Sequence, residues 1–323
     1  MEFPPIRTVK QKASESLAAG RDPKRVVLFF AGLCGLISGI VTLLSFYLSS
    51  QMSKTGGLDA LESRSILATA EAVLPIFQLV VTLCLNYGYL HAMMRISRGL
   101  YADHHDLKTG FHLFGPIFRF VLLQTLIYLA IGVLSYNAST VFMSLSPWGE
   151  KLMASITALM DEAAATGSVS RIDPIVYILL IVWLVVFSVI SLFASYRLRM
   201  TNYILLDNPR SGALYALLSS IRMMRGNSMK LFKLDLSFWW YYVLTFAVTL
   251  AGMGDVILMI LGIPLPFSPN AVSLLFFGLY LLLQFAVCCF AMNKVELTYI
   301  HTYEALQEKP KTDGVVLGNI FEM

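Results

Sequence analysis

PIVYILLIVWLVVFSVISLFASYRLRM, residues 174–200, opens on a proline and closes on Arg197 and Arg199. Between Pro174 and Tyr196 it holds no Asp, Glu, Lys or Arg. A helix of that length reaches about 34 Å, enough to cross a hydrocarbon core of about 30 Å. Apolar side chains fill every face, without the two-residue alternation of a barrel strand. In lipid only helices and closed barrels satisfy their backbone polar groups, so the stretch reads as a membrane-crossing helix.

The same search along the 323 residues finds uncharged runs at 26–53, 72–94, 120–149, 236–254 and 256–293. The last is too long for one crossing. Pro264, Pro266 and Pro269 interrupt it, and proline breaks helices, so a tight turn is expected at 263–269. Six spans follow, at about 26–49, 68–94, 114–137, 174–200, 235–262 and 270–296. The first run is too long for a cleavable leader and lacks a small-residue cleavage site. Composition agrees: 57% of residues are hydrophobic, 14% are charged and mean hydropathy is +0.70. Soluble domains carry about 25% charged residues. The expected fold is an all-α polytopic membrane protein, a single domain of three hairpins. A basic arm covers 1–25, the bundle 26–305 and a tail 306–323.

Charge sets the expected orientation. Of the 24 Lys and Arg residues, only Lys54, Arg64, Lys151 and Arg171 fall outside the N-terminal arm, the second and fourth inter-span segments and the C-terminal tail. Basic residues favour the cytoplasmic side, so both termini are expected inside a bacterial inner membrane. The net charge of +4 hugs span ends. It points to anionic lipid headgroups at the cytoplasmic face as partners, not to nucleic acid.

A basic, partly amphipathic segment precedes each hairpin. In DNPRSGALYALLSSIRMMRGN, Asp207 or Asn208 is positioned to cap a helix and Pro209 suits its first turn. Leu214, Leu217, Leu218, Ile221 and Met224 share a face, Arg222 and Arg225 lie in the last turn, and Gly226 supplies a stop. Residues 210–225 are therefore expected to lie in the cytoplasmic interface. IRTVKQKASESLAAG is expected to do the same before span one. On the outer side, 148–165 reads as a short amphipathic helix through Leu152, Ile156, Leu159 and Ala163.

Asp235, at the mouth of span five, is the polar residue most in need of an explanation. Its position beside a basic junction suggests a structural clasp with Arg197, Arg199, Arg222 or Lys230. Asp255 lies 20 residues on, about one bilayer thickness away, and Glu71 sits at a similar outer level. Intramembrane carboxylates are functional suspects, with paired, hydrated carboxylates as the simpler account. Gln78, Asn86, Gln124 and Gln284 are scattered amides that suit interhelical bonds. Asp103, His104, His105 and Asp106, with His91 and His112 elsewhere, have metal-ligand chemistry but no ligand spacing, so a polar loop and no metal are expected. Cys34, Cys84, Cys288 and Cys289 lie inside spans and imply no disulfide. Trp239, Trp240, Tyr241 and Tyr242 suit an interfacial aromatic belt. Gly32, Gly35 and Gly39, with Ser38, offer a small-residue packing face for this chain or a homodimer.

The run from Tyr196 to Trp240 resembles the signature region of a bacterial membrane family, domain of unknown function 975. The shared elements are Tyr203, Ile204, Leu205, Asp207, Asn208 and Pro209, then Met224 and Gly226, then Phe232, Leu234, Asp235, Leu236, Ser237 and Phe238. Lys10, Ala13, Leu17 and the Arg98-Gly99 step are similar too. The family's I-P-G-I-I-K-like stretch is replaced by VISLFASYRLRM, and its P-Y before the last span by LPFSPN. The resemblance implies a six-helix bacterial inner-membrane protein and carries no reaction.

No phosphate-binding loop, nucleophile elbow or paired-histidine zinc motif is present, and no cofactor is expected. The favoured role is a non-catalytic membrane scaffold or lipid-interacting accessory protein, with a membrane-protein partner as an option. The main alternative is a small-solute or lipid transporter with Asn86, Gln124, Gln284 and Glu71 at its midplane. A membrane-embedded enzyme is third.

Overall fold

A computed structural model describes residues 3–19, 23–54, 60–145, 149–166, 174–260 and 269–307. Among these the chain forms helices and no strand. Five helices are long and apolar enough to cross a membrane: Pro23–Met52, Ser65–Ser97, Phe114–Phe142, Val176–Asp207 and Ala271–Gln307. A bent pair, Ser228–Leu236 with Trp239–Gly252, makes a sixth if it counts as one span. Large apolar side chains such as Leu129, Ile181, Leu184 and Leu282 stand exposed along these helices. Water would not tolerate so wide an apolar surface, whereas lipid does. The chain is a multi-helix membrane protein.

The described residues fall into two compact units, Met1–Gly115 with Met229–Met323, and Pro116–Ser228. In the second unit, α5 (Phe114–Ser144) and α7 (Pro174–Leu198) meet at Gly132. The Trp183 indole donates to the carbonyl of Gly132, where Phe187 also packs. α6 (Gly149–Thr166) caps this unit through Ile156 on Leu179. The side chains of Leu152, Leu159 and Ala163 lie outside the described residues. Past α8 (Thr201–Asp207), α9 (Ala213–Met224) replaces the expected 210–225. Neither Asp207 nor Asn208 caps α9 with its side chain. Pro209–Ser211 makes a 3-10 turn, and Gly212 at φ +82° starts α9 instead. Gly226, at φ +80°, turns the chain after α9 as expected, a conformation open to glycine because it lacks Cβ. The apolar face of α9 is divided. Leu217 and Met224 are buried with Ala213, Ala216 and Ser220, whereas Leu214 and Leu218 are exposed.

In the first unit, α2 (Pro23–Lys54) and α3 (Ala60–Ser97) form one hairpin; α11 (Trp239–Gly252) and α13 (Pro269–Val287) form another. Between α3 and α4 (Thr109–His112) runs a 3-10 turn, His104–Lys108. The fifth crossing is not the continuous helix expected over 235–262. α10 (Ser228–Leu236) meets α11 at a 66° bend, and α12 (Gly254–Ile260) begins after Met253. The bend has a local cause. The Phe238 amide bonds the carbonyl of Asp235, a tightened turn, and the Ser237 hydroxyl back-bonds Leu234 at 2.5 Å. The turn anticipated at 263–269 lies outside the described residues except for Pro269, which opens α13.

The last helix is extended well past the expected span end at 296. After a π-helical turn at Cys288–Met292, α14 (Asn293–Gln307) continues, and Leu297, Tyr299, Ile300, Tyr303 and Leu306 are among the most buried residues of the unit. α1 (Ile6–Ala18) supplies the cover. Val9 and Ala13 are buried where it packs on α14.

Candidate functional site

Two places in the first unit gather polar side chains. One is a cavity of about 550 Å³ between α2, α3 and α13, reaching the π-helical turn. Cys34, Ser38, Gln78, Thr82, Gln284 and Cys288 contribute its polar lining. The Gln78 amide donates to the Ser38 hydroxyl at 2.9 Å, tying α3 to α2, and Gln284 donates to Cys288 Sγ at 3.8 Å. The Thr82 hydroxyl is buried without a hydrogen-bond partner. The remaining lining is apolar, and its Leu36 and Leu282 are 58% and 72% exposed. A π-turn adds a residue to a helix and is common where function needs an irregular wall.

Gly32 and Gly35 line this cavity, and nothing lies within 4 Å of a Cβ placed on either. Within the described chain they do not bring helices together. Close approach occurs at Gly88 and Gly110, where the carbonyls of Leu107 and Cys84 occupy the space of a side chain.

The second place is the end of the unit where α1, α3, α10 and α14 converge. Lys10 donates to the Ser237 carbonyl at 2.9 Å and lies 4.0 Å over the Phe238 ring. A cation there satisfies the C-terminus of α10. Burial and the nearby Lys294 push the Lys10 ammonium below its ordinary pKa. Asp235, half-buried in the last turn of α10, accepts a hydrogen bond from Tyr299, whose hydroxyl also meets that of Tyr242 at 2.9 Å. Of the expected partners of Asp235, Arg197, Arg199 and Arg222 belong to the other unit and Lys230 lies on α10 itself. Tyr89 donates to Asn293 at 2.8 Å in the core.

Beside these, Ser16 Oγ lies 3.0 Å from His301 Nε2, and His301 Nδ1 lies 3.1 Å from Glu304 Oε2. The other Glu304 oxygen accepts from Ser97 at 2.7 Å and pairs with Arg98 at 3.5 Å.

This chain belongs to the DUF975 family. The family model, described as a protein of unknown function, matches residues 8–309. No curated protein and no solved structure matches the chain. Asp235, Ser237 and Phe238 meet at one junction in this DUF975 chain: the bend, its phenol and its lysine.

The other anticipated polar residues are placed one by one. Glu71 accepts from Ser49 at 2.8 Å, and Asp255 from Ser273 at 2.5 Å, so each carboxylate meets a serine of a neighbouring helix. Asn86 is half-buried on α3, and Gln124 is half-buried on α5, in the other unit. Asp103 caps the 3-10 turn with Asp106 in a reciprocal capping box, and Asp106 also takes Arg95 at 2.6 Å. The bond from the His104 amide is the main reason the Asp103 carboxyl sits below its ordinary pKa. Ligand atoms of Asp103, His104 and His105 lie within 4.8 Å of one another, but Asp103 is committed to the cap and His104 stacks on Phe29 at 4.9 Å. The four cysteines are free. Trp239 and Trp240 are exposed, and Tyr241 packs on the core of Val248, Val287 and Ala291.

Sequence reasoning missed Ser16, His301, Glu304 and Tyr299, and named Lys10 without its partners. The only local signal was the polar periodicity of TYIHTYEAL, where His301 and Glu304 are one turn apart.

Proposed function

We propose that this DUF975 protein is a lipid-binding accessory protein of the bacterial cytoplasmic membrane, with both termini inside the cell. The observation that carries the reading is the cavity between α2, α3 and α13. Its wall is apolar with a few polar groups, the composition of a site for an amphiphile. Its exposed rim residues Leu36 and Leu282 lie on membrane-crossing helices, so the medium that fills it is the hydrocarbon of a lipid. The occupant is one acyl chain of a bilayer lipid, with an ester or hydroxyl group offered to Thr82, Gln78 or Gln284. The bias of basic residues toward the arm, alternate inter-span segments and tail supports the orientation.

The test is native mass spectrometry of the protein purified from its own membranes in mild detergent, beside a Gly35→Leu variant. A Cβ on Gly35 has nothing within 4 Å, and the residue lines the cavity, so the larger side chain starts in open space. The wild type should retain lipid that the variant loses, with both equally stable to heat. Equal lipid retention would refute the site, and uptake of a polar solute into proteoliposomes, abolished by the same variant, would favour transport instead. Fusion reporters on the two termini test orientation: activity of both on the outer face would overturn it.

A further inference from the structure

We propose that Ser16, His301 and Glu304 form a nucleophile–base–acid relay that opens a carboxylic ester presented from the membrane surface. This goes beyond lipid holding and does not depend on it. In the neutral imidazole the proton belongs on Nδ1, because the Glu304 carboxylate oxygen Oε2 at 3.1 Å can only accept. Nε2 is then the bare nitrogen, 3.0 Å from the Ser16 hydroxyl. These are the two contacts that a hydroxyl nucleophile, its base and the base's orienting acid require, in the required order of atoms.

The environment is built for the base. His301 is 8% exposed, and Glu304 is itself fixed by Ser97 and Arg98. Ser16 is half-exposed at the edge of the α1 face that packs on α14, so a substrate can reach it. Lys12, one turn earlier on the same side of α1 and exposed, is the cation nearest in sequence to meet an oxyanion. His301 lies six residues before the end of Ala271–Gln307, a helix long and apolar enough to cross a membrane, so the relay sits toward one end of that crossing. The ester is therefore one carried by a membrane amphiphile, and the basic flank suits an anionic one.

The chemistry balances without a cofactor. Ser16 Oγ adds to the acyl carbon as its proton passes to His301 Nε2. The ester C–O bond breaks, and the departing alcohol takes that proton. Water then adds to the acyl-serine, giving its proton to the same nitrogen, and collapse releases the carboxylic acid and free Ser16. Ser16 and His301 are the catalytic residues; Glu304 is a positioning residue.

The test exposes the full-length protein in nanodiscs to a fluorophosphonate and locates adducts by peptide mass spectrometry. Ser14 is the internal control: it is exposed on the same helix and bonded only to the carbonyl of Gln11. Ser16 should be modified at least about 100-fold faster than Ser14, and His301→Gln should remove about that factor. Glu304→Gln should slow the Ser16 adduct while leaving Ser14 unchanged. Ser16 reacting no faster than Ser14 in the wild type, which needs no variant to fold, overturns the relay and leaves a clamp between α1 and α14. Labelling of Ser16 that survives His301→Gln also overturns it.

Discussion

Two glycine-to-alanine changes in adjacent helices of one unit should have opposite effects. A Cβ on Gly88 would lie 2.1 Å from the Leu107 carbonyl oxygen, with the Leu107 carbonyl carbon and Cα at 2.6 Å. An ordinary contact begins at 3.4 Å, so α3 and the 3-10 turn must part by about 1.3 Å. The obstacle is backbone and cannot rotate away. Overpacking of this kind costs about 1–3 kcal/mol, and separation of α3 from Leu107 also loosens a buried leucine. Gly35 has nothing within 4 Å, so Gly35→Ala meets no obstacle and gains up to about 1 kcal/mol of helix propensity. Thermal unfolding followed by tryptophan fluorescence in detergent reads both. Gly88→Ala should unfold several degrees below the wild type and Gly35→Ala at or above it. If Gly35→Ala loses as much as Gly88→Ala, the close approach of α3 to Leu107 is not what holds this region.

Tyr299→Phe keeps the ring but removes the hydroxyl that Asp235 and Tyr242 share, leaving a half-buried carboxylate without its donor. A loss of about 1.5–3 kcal/mol is expected in the same unfolding assay, and Asp235→Asn should cost less because an amide is cheaper to leave unpaired. Asp103 provides a pH reading. Its folded pKa is depressed, so the cap is complete above the ordinary carboxylate pKa and is lost as pH falls through the lower folded value. Amide exchange in residues 103–108, corrected for intrinsic rate, should rise on acidification in the wild type and already be raised at neutral pH in Asp103→Ala.

Much of the helix inventory was readable from residues 174–200 and the runs like it, because hydropathy and period belong to each segment alone. The bend at Phe238 was not. LDLSFWW is apolar on both sides of the break, and what tightens the turn is a set of backbone bonds backed by Lys10, 227 residues from Ser237 along the chain. The glycine face of span one was legible as small residues, yet small residues permit close packing without compelling it. Gly88 and Gly110 are instead the places where backbone of another element lies against a glycine. For Asp235 the sequence indicated a polar need at a helix end, and the nearby arginines looked like its answer. Within the unit its hydrogen bond comes from a phenol past 296, the expected end of span six.

Local apolar length and charge were enough to read off a membrane protein, the segments apolar enough to cross and the places where its cations gather. That α1 lies on α14, and that Ser16 meets His301 across 285 residues of chain, could be seen in the folded chain alone. A polar side chain's partner is set by the packing of distant helices, and no property of either residue's own segment encodes it.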